Sequence, residues 1–106
     1  MATIDDFLSL GLKAAKVLEA ERVQGSEKLL VLKVDIGGET RQIVAGIGKR
    51  YEPSSLVGKT IIVATLLEPR TLMGLESQGM LLAADREGEP VLLKPEEEVE
   101  SGTIIK

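Results

Sequence analysis

Residues 30–36 alternate most cleanly. Leu30, Leu32, Val34 and Ile36 fall on one face and Val31, Lys33 and Asp35 on the other, the period-2 pattern of a half-buried strand. Gly37-Gly38 supplies a tight hairpin turn into residues 39–45, where Thr40, Gln42 and Val44 alternate with Arg41, Ile43 and Ala45. Upstream, residues 12–23 alternate imperfectly, with apolar pairs at Ala14-Ala15 and Val17-Leu18 that predict a long, bent or bulged strand. Before it, Thr3 is placed to cap a short helix over about residues 3–9, since Asp6 stands three positions on and Ile4, Phe7 and Leu8 share one face. A helix that short does not persist alone. Its apolar face must dock either on its own domain or on a second copy of the chain.

Gly46 and Gly48 interrupt the strand pattern, and Pro53–Val57 reads as a short helical turn. Residues 60–66 form a β-branched run suited to a fully buried strand. A loop from Glu68 to about Gly74 leads to another strand at 78–84, a turn at 85–88, a short strand at 91–93 and a last one at 103–105. Three strands, a short helix and two further strands, the first long and curved, is the order of an OB-fold, a five-stranded barrel. Another small barrel or a sandwich fits the same pattern. The acidic C-terminal extension lies beyond the five-strand count, and one domain fills the 106 residues.

Composition narrows the chemistry. Cysteine and histidine are both absent, which removes disulfides, Cys/His metal sites and every histidine-based acid/base device. No carboxylate among the thirteen glutamates is singled out, so no catalysis, cofactor or metal is expected. No apolar run approaches a membrane span of about 20 residues, and the acidic start, Asp5-Asp6, is unlike a basic secretion signal. The expected location is cytoplasmic. The net charge of −4 is unevenly spread: residues 7–84 are mildly basic, while the acidity gathers at the ends, chiefly Glu96-Glu97-Glu98 and Glu100.

Two apparent nucleotide motifs dissolve on inspection. Gly58-Lys59-Thr60 ends like a P-loop, but Pro53 stands where the first glycine is needed and a strand follows in place of a helix. Gly46-Ile47-Gly48 has Tyr51 at the third glycine of a dinucleotide fingerprint, and a strand-to-loop turn accounts for both glycines. The stretch Leu72–Leu81 is less ordinary, with Ser77, Gln78, Gly79 and Met80 between apolar runs. It reads either as a glycine-permitted bend with Met80 filling a gap, or as an exposed hydroxyl and thioether offered to a sugar or base.

Three ordered blocks carry a resemblance. Glu27–Gly37, Arg41–Ile47 and Glu68–Ala84, the last containing Glu68-Pro-Arg-Thr-Leu-Met-Gly-Leu-Glu-Ser-Gln-Gly-Met, resemble the tRNA-binding domain found at the C-terminus of methionyl-tRNA synthetases and as free-standing tRNA-binding proteins. The likeness covers about residues 3–105. It implies an OB-fold that dimerises through its N-terminal helix and C-terminal extension and binds tRNA by its folded shape. It also implies RNA contacts at Lys28, Arg41, Ser77 and Met80; charge and placement add Lys49 and Arg50. The chain departs from the family at Val23–Ser26, where a His-Pro-Asn-Ala stretch is usual, and at Thr71, where relatives often carry a basic residue.

Phe7 and Tyr51 are the only aromatics. Readers of single strands stack bases on such rings, so their scarcity favours phosphate contacts to structured RNA. The sequence thus predicts a non-catalytic, homodimeric tRNA-binding module, free-standing or partnered by a methionyl-tRNA synthetase catalytic subunit, with no membrane association. The alternative is a peptide-binding domain like the export chaperones of the same superfamily, with Met73, Leu75 and Met80 lining an apolar groove.

Overall fold

A computed structural model describes all 106 residues. The elements are α1 (Ile4–Leu8), β1 (Leu12–Arg22), β2 (Leu30–Asp35), β3 (Thr40–Ala45), α2 (Pro53–Leu56), β4 (Thr60–Ala64), β5 (Arg70–Leu72), β6 (Leu75–Ser77), β7 (Met80–Leu81), β8 (Ala83–Arg86) and β9 (Glu89–Leu92). One five-stranded antiparallel sheet runs in the order β3-β2-β1-β4-β7. It curls into the expected all-β OB-fold barrel, with a short N-terminal helix and a C-terminal extension.

The long first strand makes the curl possible. Leu12–Lys16 pairs with β4, whereas Lys16–Arg22 pairs with β2, and the β2 register slips between Val17 and Glu19. Leu18 is the extra residue of that bulge, and it switches the side of the strand that faces inward. Ala15 and Val17 point into the main core before it, and Ala20 packs against that core after it. Leu30, Leu32, Val34 and Ile36 fill the interior as the alternation requires, joined by Ile43, Leu56, Ile61 and Val63.

The two ends of the sheet meet along a seam that is not a regular ladder. The Gln78 N–H donates to the Gln42 carbonyl (2.7 Å). The Gln42 N–H donates to Gln78 Oε1 (3.0 Å), and the Val44 N–H to Ser77 Oγ (3.0 Å). Side chains therefore finish what backbone pairing leaves open, and no buried side-chain polar atom lacks a partner.

Several boundaries differ from the sequence reading. Residues 68–74, read as a loop, contain β5 and lead into β6 through a two-residue turn with Met73 at φ 48° and Gly74 at φ 80°. A methionine in the left-handed region carries no turn signal in the sequence. The strand expected at 78–84 is split into β7 and β8, because Leu82 donates to the Ile62 carbonyl while Ala83 already pairs with Leu92. The strand expected at 60–66 stops at Ala64, where the Thr65 N–H and hydroxyl both turn to the Gly11 carbonyl. The expected strand at 103–105 is reduced to a bridge between Lys13 and Ile104.

That bridge belongs to a tail that covers a second, outer core. Leu12, Ala14, Ile62 and Ala64 are buried there beneath Leu82 and Ile105, so β4 is buried on both faces, as its β-branched run predicts. Gly102 donates to the Ala14 carbonyl at 2.7 Å, and Ala14 to that of Thr103 at 2.9 Å. Gly102 also meets the β2–β3 turn almost backbone to backbone: a Cβ added to it would lie 2.7 Å from the Gly37 Cα. With φ at +91° as well, Gly102→Ala should lower unfolding stability by about 1–3 kcal/mol in urea titrations. An unchanged midpoint would show that the tail is not part of the cooperative unit.

Candidate nucleic-acid interface

The β1–β2 loop is shaped by Ser26. Its hydroxyl accepts from the N–H groups of Lys28 (3.2 Å) and Leu29 (3.0 Å), which reverses the chain and leaves Lys28 exposed. The two glycines after β3 let this loop sit down. A Cβ on Gly46 would lie 2.7 Å from the Lys28 side chain, and one on Gly48 would lie 2.8 Å from the carbonyl oxygens of Glu27 and Lys28. Gly48 donates to the Lys28 carbonyl at 2.6 Å. From below, Arg22 donates to the Gly48 carbonyl (2.8 Å) and pairs with Glu52 (3.0 Å). The glycines the sequence offers as turn residues thus permit close approach.

As a result, Lys28, Lys49 and Arg50 border one open cleft, whose far side is the tip of the β8–β9 hairpin. Lys28 and Lys49 form no ion pair within 4 Å, whereas Arg50 lies 3.7 Å from Glu89 and over its neighbour Tyr51, 5.0 Å from the ring centre. A hydrogen bond from Arg86 holds the Glu89 carboxyl below the usual range, with the charges of Arg86 and Arg50 adding to the effect.

The remaining expected residues lie around the seam. Arg41 spans it: Nη1 donates to the carbonyls of Thr65 (2.9 Å) and Gln78 (3.1 Å), while Nε donates to Glu39 (2.6 Å). Its side chain is 22% exposed and borders a shallow recess with Thr65–Pro69. Ser77 departs from the exposed hydroxyl considered from sequence. It is 2% exposed, and its Oγ accepts from Val44 N–H and donates to the Gly79 carbonyl (2.9 Å). Met80 is 49% exposed beside Val44, Arg70 and Gly79, so it is not a buried gap-filler.

Of the six residues, Lys28, Lys49 and Arg50 share one cleft with Gly46, just past the end of β3. Ser77 and Met80 lie beside Val44 near that end, whereas Arg41 stands near the start of the strand. Five strand residues separate Arg41 from Gly46, about 17 Å. Between them, on the outer side of β2 and β3, Lys33 donates to Gln42 Oε1 at 2.8 Å. Sequence reasoning placed Lys33 on this outer face without giving it a role. Arg70 went unnoticed because its segment read as loop; it is exposed and free of any ion pair.

No cluster of three acidic side chains is placed to hold a metal ion, and no helix is long and apolar enough to cross a membrane. The surface instead offers cations, amides and a thioether along a strand pair, the side of such barrels that receives oligonucleotides.

A family model described as "Putative tRNA binding domain" matches residues 12–104. A methionine–tRNA ligase of Caldanaerobacter subterraneus is 54% identical over 103 residues, which is 97% of this chain and 16% of the ligase. The chain therefore spans about a sixth of the length of the curated relatives it matches. Among solved structures, a MetRS-related protein from Pyrococcus horikoshii is 37% identical with a TM-score of 0.93, covering 100% of this chain and 98% of that one. The chaperone CsaA from Bacillus anthracis is 33% identical with a TM-score of 0.90, covering 100% and 99%.

Because the Ser77 hydroxyl satisfies the buried Val44 N–H, Ser77→Ala should cost about 1–3 kcal/mol of stability, read from a urea or thermal midpoint. A fully stable Ser77→Ala protein would remove the hydroxyl from the account of barrel closure.

Proposed function

Since this chain belongs to the tRNA-binding domain family, we propose that it is a non-catalytic module that grips folded tRNA by its phosphates, acts as a homodimer in the cytoplasm, and serves with a methionyl-tRNA synthetase. The observation that carries the reading is the convergence of Lys28, Lys49 and Arg50 on one cleft of a chain whose net charge is −4. A molecule of that charge repels a polyanion unless its cations are gathered. Gathered cations release condensed counterions, and binding then falls steeply with salt. Lys33 carries positive charge onto the outer face of β2, Arg70 on β5 stands beside Met80, which offers a soft contact to sugar or base, and the partly committed Arg41 lies near the far end of β3.

The dimer reading rests on α1. Thr3 and Asp6 form a complete capping box, yet no residue of the helix is buried. Ile4, Phe7, Leu8 and Leu10 are all exposed, as are Leu66 and Ile104. An apolar face of this kind on a well-formed helix marks an interaction surface, and the same surface on a second copy is its simplest complement. Pairing would present the cationic cleft twice and raise avidity without any new contact.

In fluorescence titrations with folded tRNA, Lys28→Ala, Lys49→Ala should weaken binding about tenfold or more at moderate salt. It should also flatten the log K against log [salt] slope by about one unit per lysine, to a similar extent for different tRNAs. Unchanged affinity refutes the cleft. Sedimentation equilibrium should show a dimer for the unaltered chain and a monomer for Phe7→Asp, because a carboxylate cannot enter that apolar contact unpaired. The likeness to CsaA, with Met73 and Met80 exposed, supports peptide binding as the second reading. An unfolded peptide that displaces tRNA in a gel shift would favour it.

A further inference from the structure

The recess beside Met80 brings two opposite charges to one place without pairing them. Buried Val44 and Ser77 form its floor, Leu67 and Met80 its apolar sides, and exposed Glu68 and Arg70 its rim. Pro69 accounts for the placement of the rim: the residue before a proline is driven into extended backbone, and in extended chain residues two apart project to the same side. Neither charge takes part in the chain's ion pairs, which join Arg22, Arg41, Arg50 and Arg86 to other acids. The frame around them is fixed. Arg70 lies opposite Ser77 in the β5–β6 ladder, the Ser77 hydroxyl is bonded on both sides, and the Gln42 amide holds the Glu76 carbonyl at 2.8 Å.

The recess measures about 90 Å³, so the edge of a flat ring can enter while a sugar and phosphate stay outside. An aliphatic side chain could fill the same space, but it would strip water from a carboxylate and a guanidinium and give neither a partner. A nucleobase edge gives a partner to each. Guanine does so most completely, because N1–H and N2–H donate together to a carboxylate while O6 and N7 accept together from a guanidinium. Adenine and cytosine offer the acid a single amino group, and uracil a single N–H between two oxygens that repel it. The polarisable thioether of Met80 suits the face of the ring.

We propose that the Met80 recess is a guanine subsite: Glu68 and Arg70 read the edge of an unstacked guanine in folded RNA, and Met80 covers its face. Folded RNA supplies such bases in its loops and bulges, splayed out of the stack. This rests on the tRNA-binding reading and adds base selection to a surface whose lysines meet only phosphate. It also reverses a sign. An exposed acid beside an RNA-binding surface otherwise repels the polyanion, so its removal tightens binding; a carboxylate that holds guanine does the opposite.

The test follows the ε-methyl NMR signal of Met80, assigned with Met80→Leu, as the full chain is titrated with the monophosphates of guanosine, adenosine, cytidine and uridine. These probes share their sugar and phosphate, so differences among them report the base. Guanosine monophosphate should shift the Met80 signal at a concentration about fivefold or more below that needed by the others. Glu68→Gln breaks no internal ion pair; it should bring guanosine and adenosine monophosphates within about twofold of each other and weaken folded-tRNA binding about threefold or more. A Met80 signal that answers all four nucleotides alike, or none, overturns the proposal, and so does a Glu68→Gln chain that binds tRNA more tightly. An apolar peptide that shifts Met80 where guanosine monophosphate does not would give the recess to protein and overturn it as well. Lys28→Ala, Lys49→Ala keeps the two failures apart. If tRNA is held through those lysines while Met80 discriminates no base, only the subsite is lost; if the unaltered chain binds no tRNA, both readings fall.

Discussion

Closure of the barrel between β3 and β7 is the constraint from which the surface follows. Only Val63 and Ala64 of β4 pair with β7, so the last strand is too short to complete a ladder, and Gln42, Val44, Ser77 and Gln78 close the gap with a mixture of backbone and side-chain hydrogen bonds. Arg41 ties the same seam to the Thr65 carbonyl. The β5–β6 hairpin is thereby held against β3, with the Gln42 amide donating to the Glu76 carbonyl at 2.8 Å. Met80 is thrown outward just where the two edges meet. Loosening the seam would unseat the hairpin and the Met80 recess together.

Much of this was legible in the sequence where one physical rule acts alone. The alternation from Leu30 to Ile36 gave the inner face of β2 without ambiguity, and Thr3 with Asp6 gave the helix start. Side chains serving two purposes were harder. Ser77 sits in a motif whose polar character suggests contact with a ligand, but a hydroxyl can also accept from a buried N–H while donating to the Gly79 carbonyl, and the partner at Val44 lies 33 positions away. Met73 hid a hairpin because its backbone is dictated by pairing on either side of it, overriding the preference of its side chain.

The electrostatic pattern carries a similar lesson. Arg22, Arg41, Arg50 and Arg86 all have acidic partners, whereas Lys28, Lys33 and Lys49 have none within ion-pair distance. In four of the five arginines, Arg70 being the exception, the planar, multiply donating guanidinium is spent on bracing loops and the seam. The ammonium groups of Lys28 and Lys49 remain free for an external anion, and that of Lys33 donates to a neutral amide. Net charge alone conceals this division, and placement along the chain recovers only part of it, since the pairing of Arg50 with Glu89 joins segments that are distant in sequence.

The bulge at Leu18 has a consequence for how the first strand tolerates change. With Leu18 looped out, the inward frame passes from Val17 to Ala20; a regular strand of the same sequence would instead carry Glu19 and Glu21 to the inside. Excising Leu18 would keep Ala20 in frame, so every inside and outside assignment would remain legal. The straightened strand, however, would lose the bend by which it borders β4 with one half and β2 with the other. Leu18 is a hinge pin in the chain's spelling: dispensable to the hydrophobic code, indispensable to the ring.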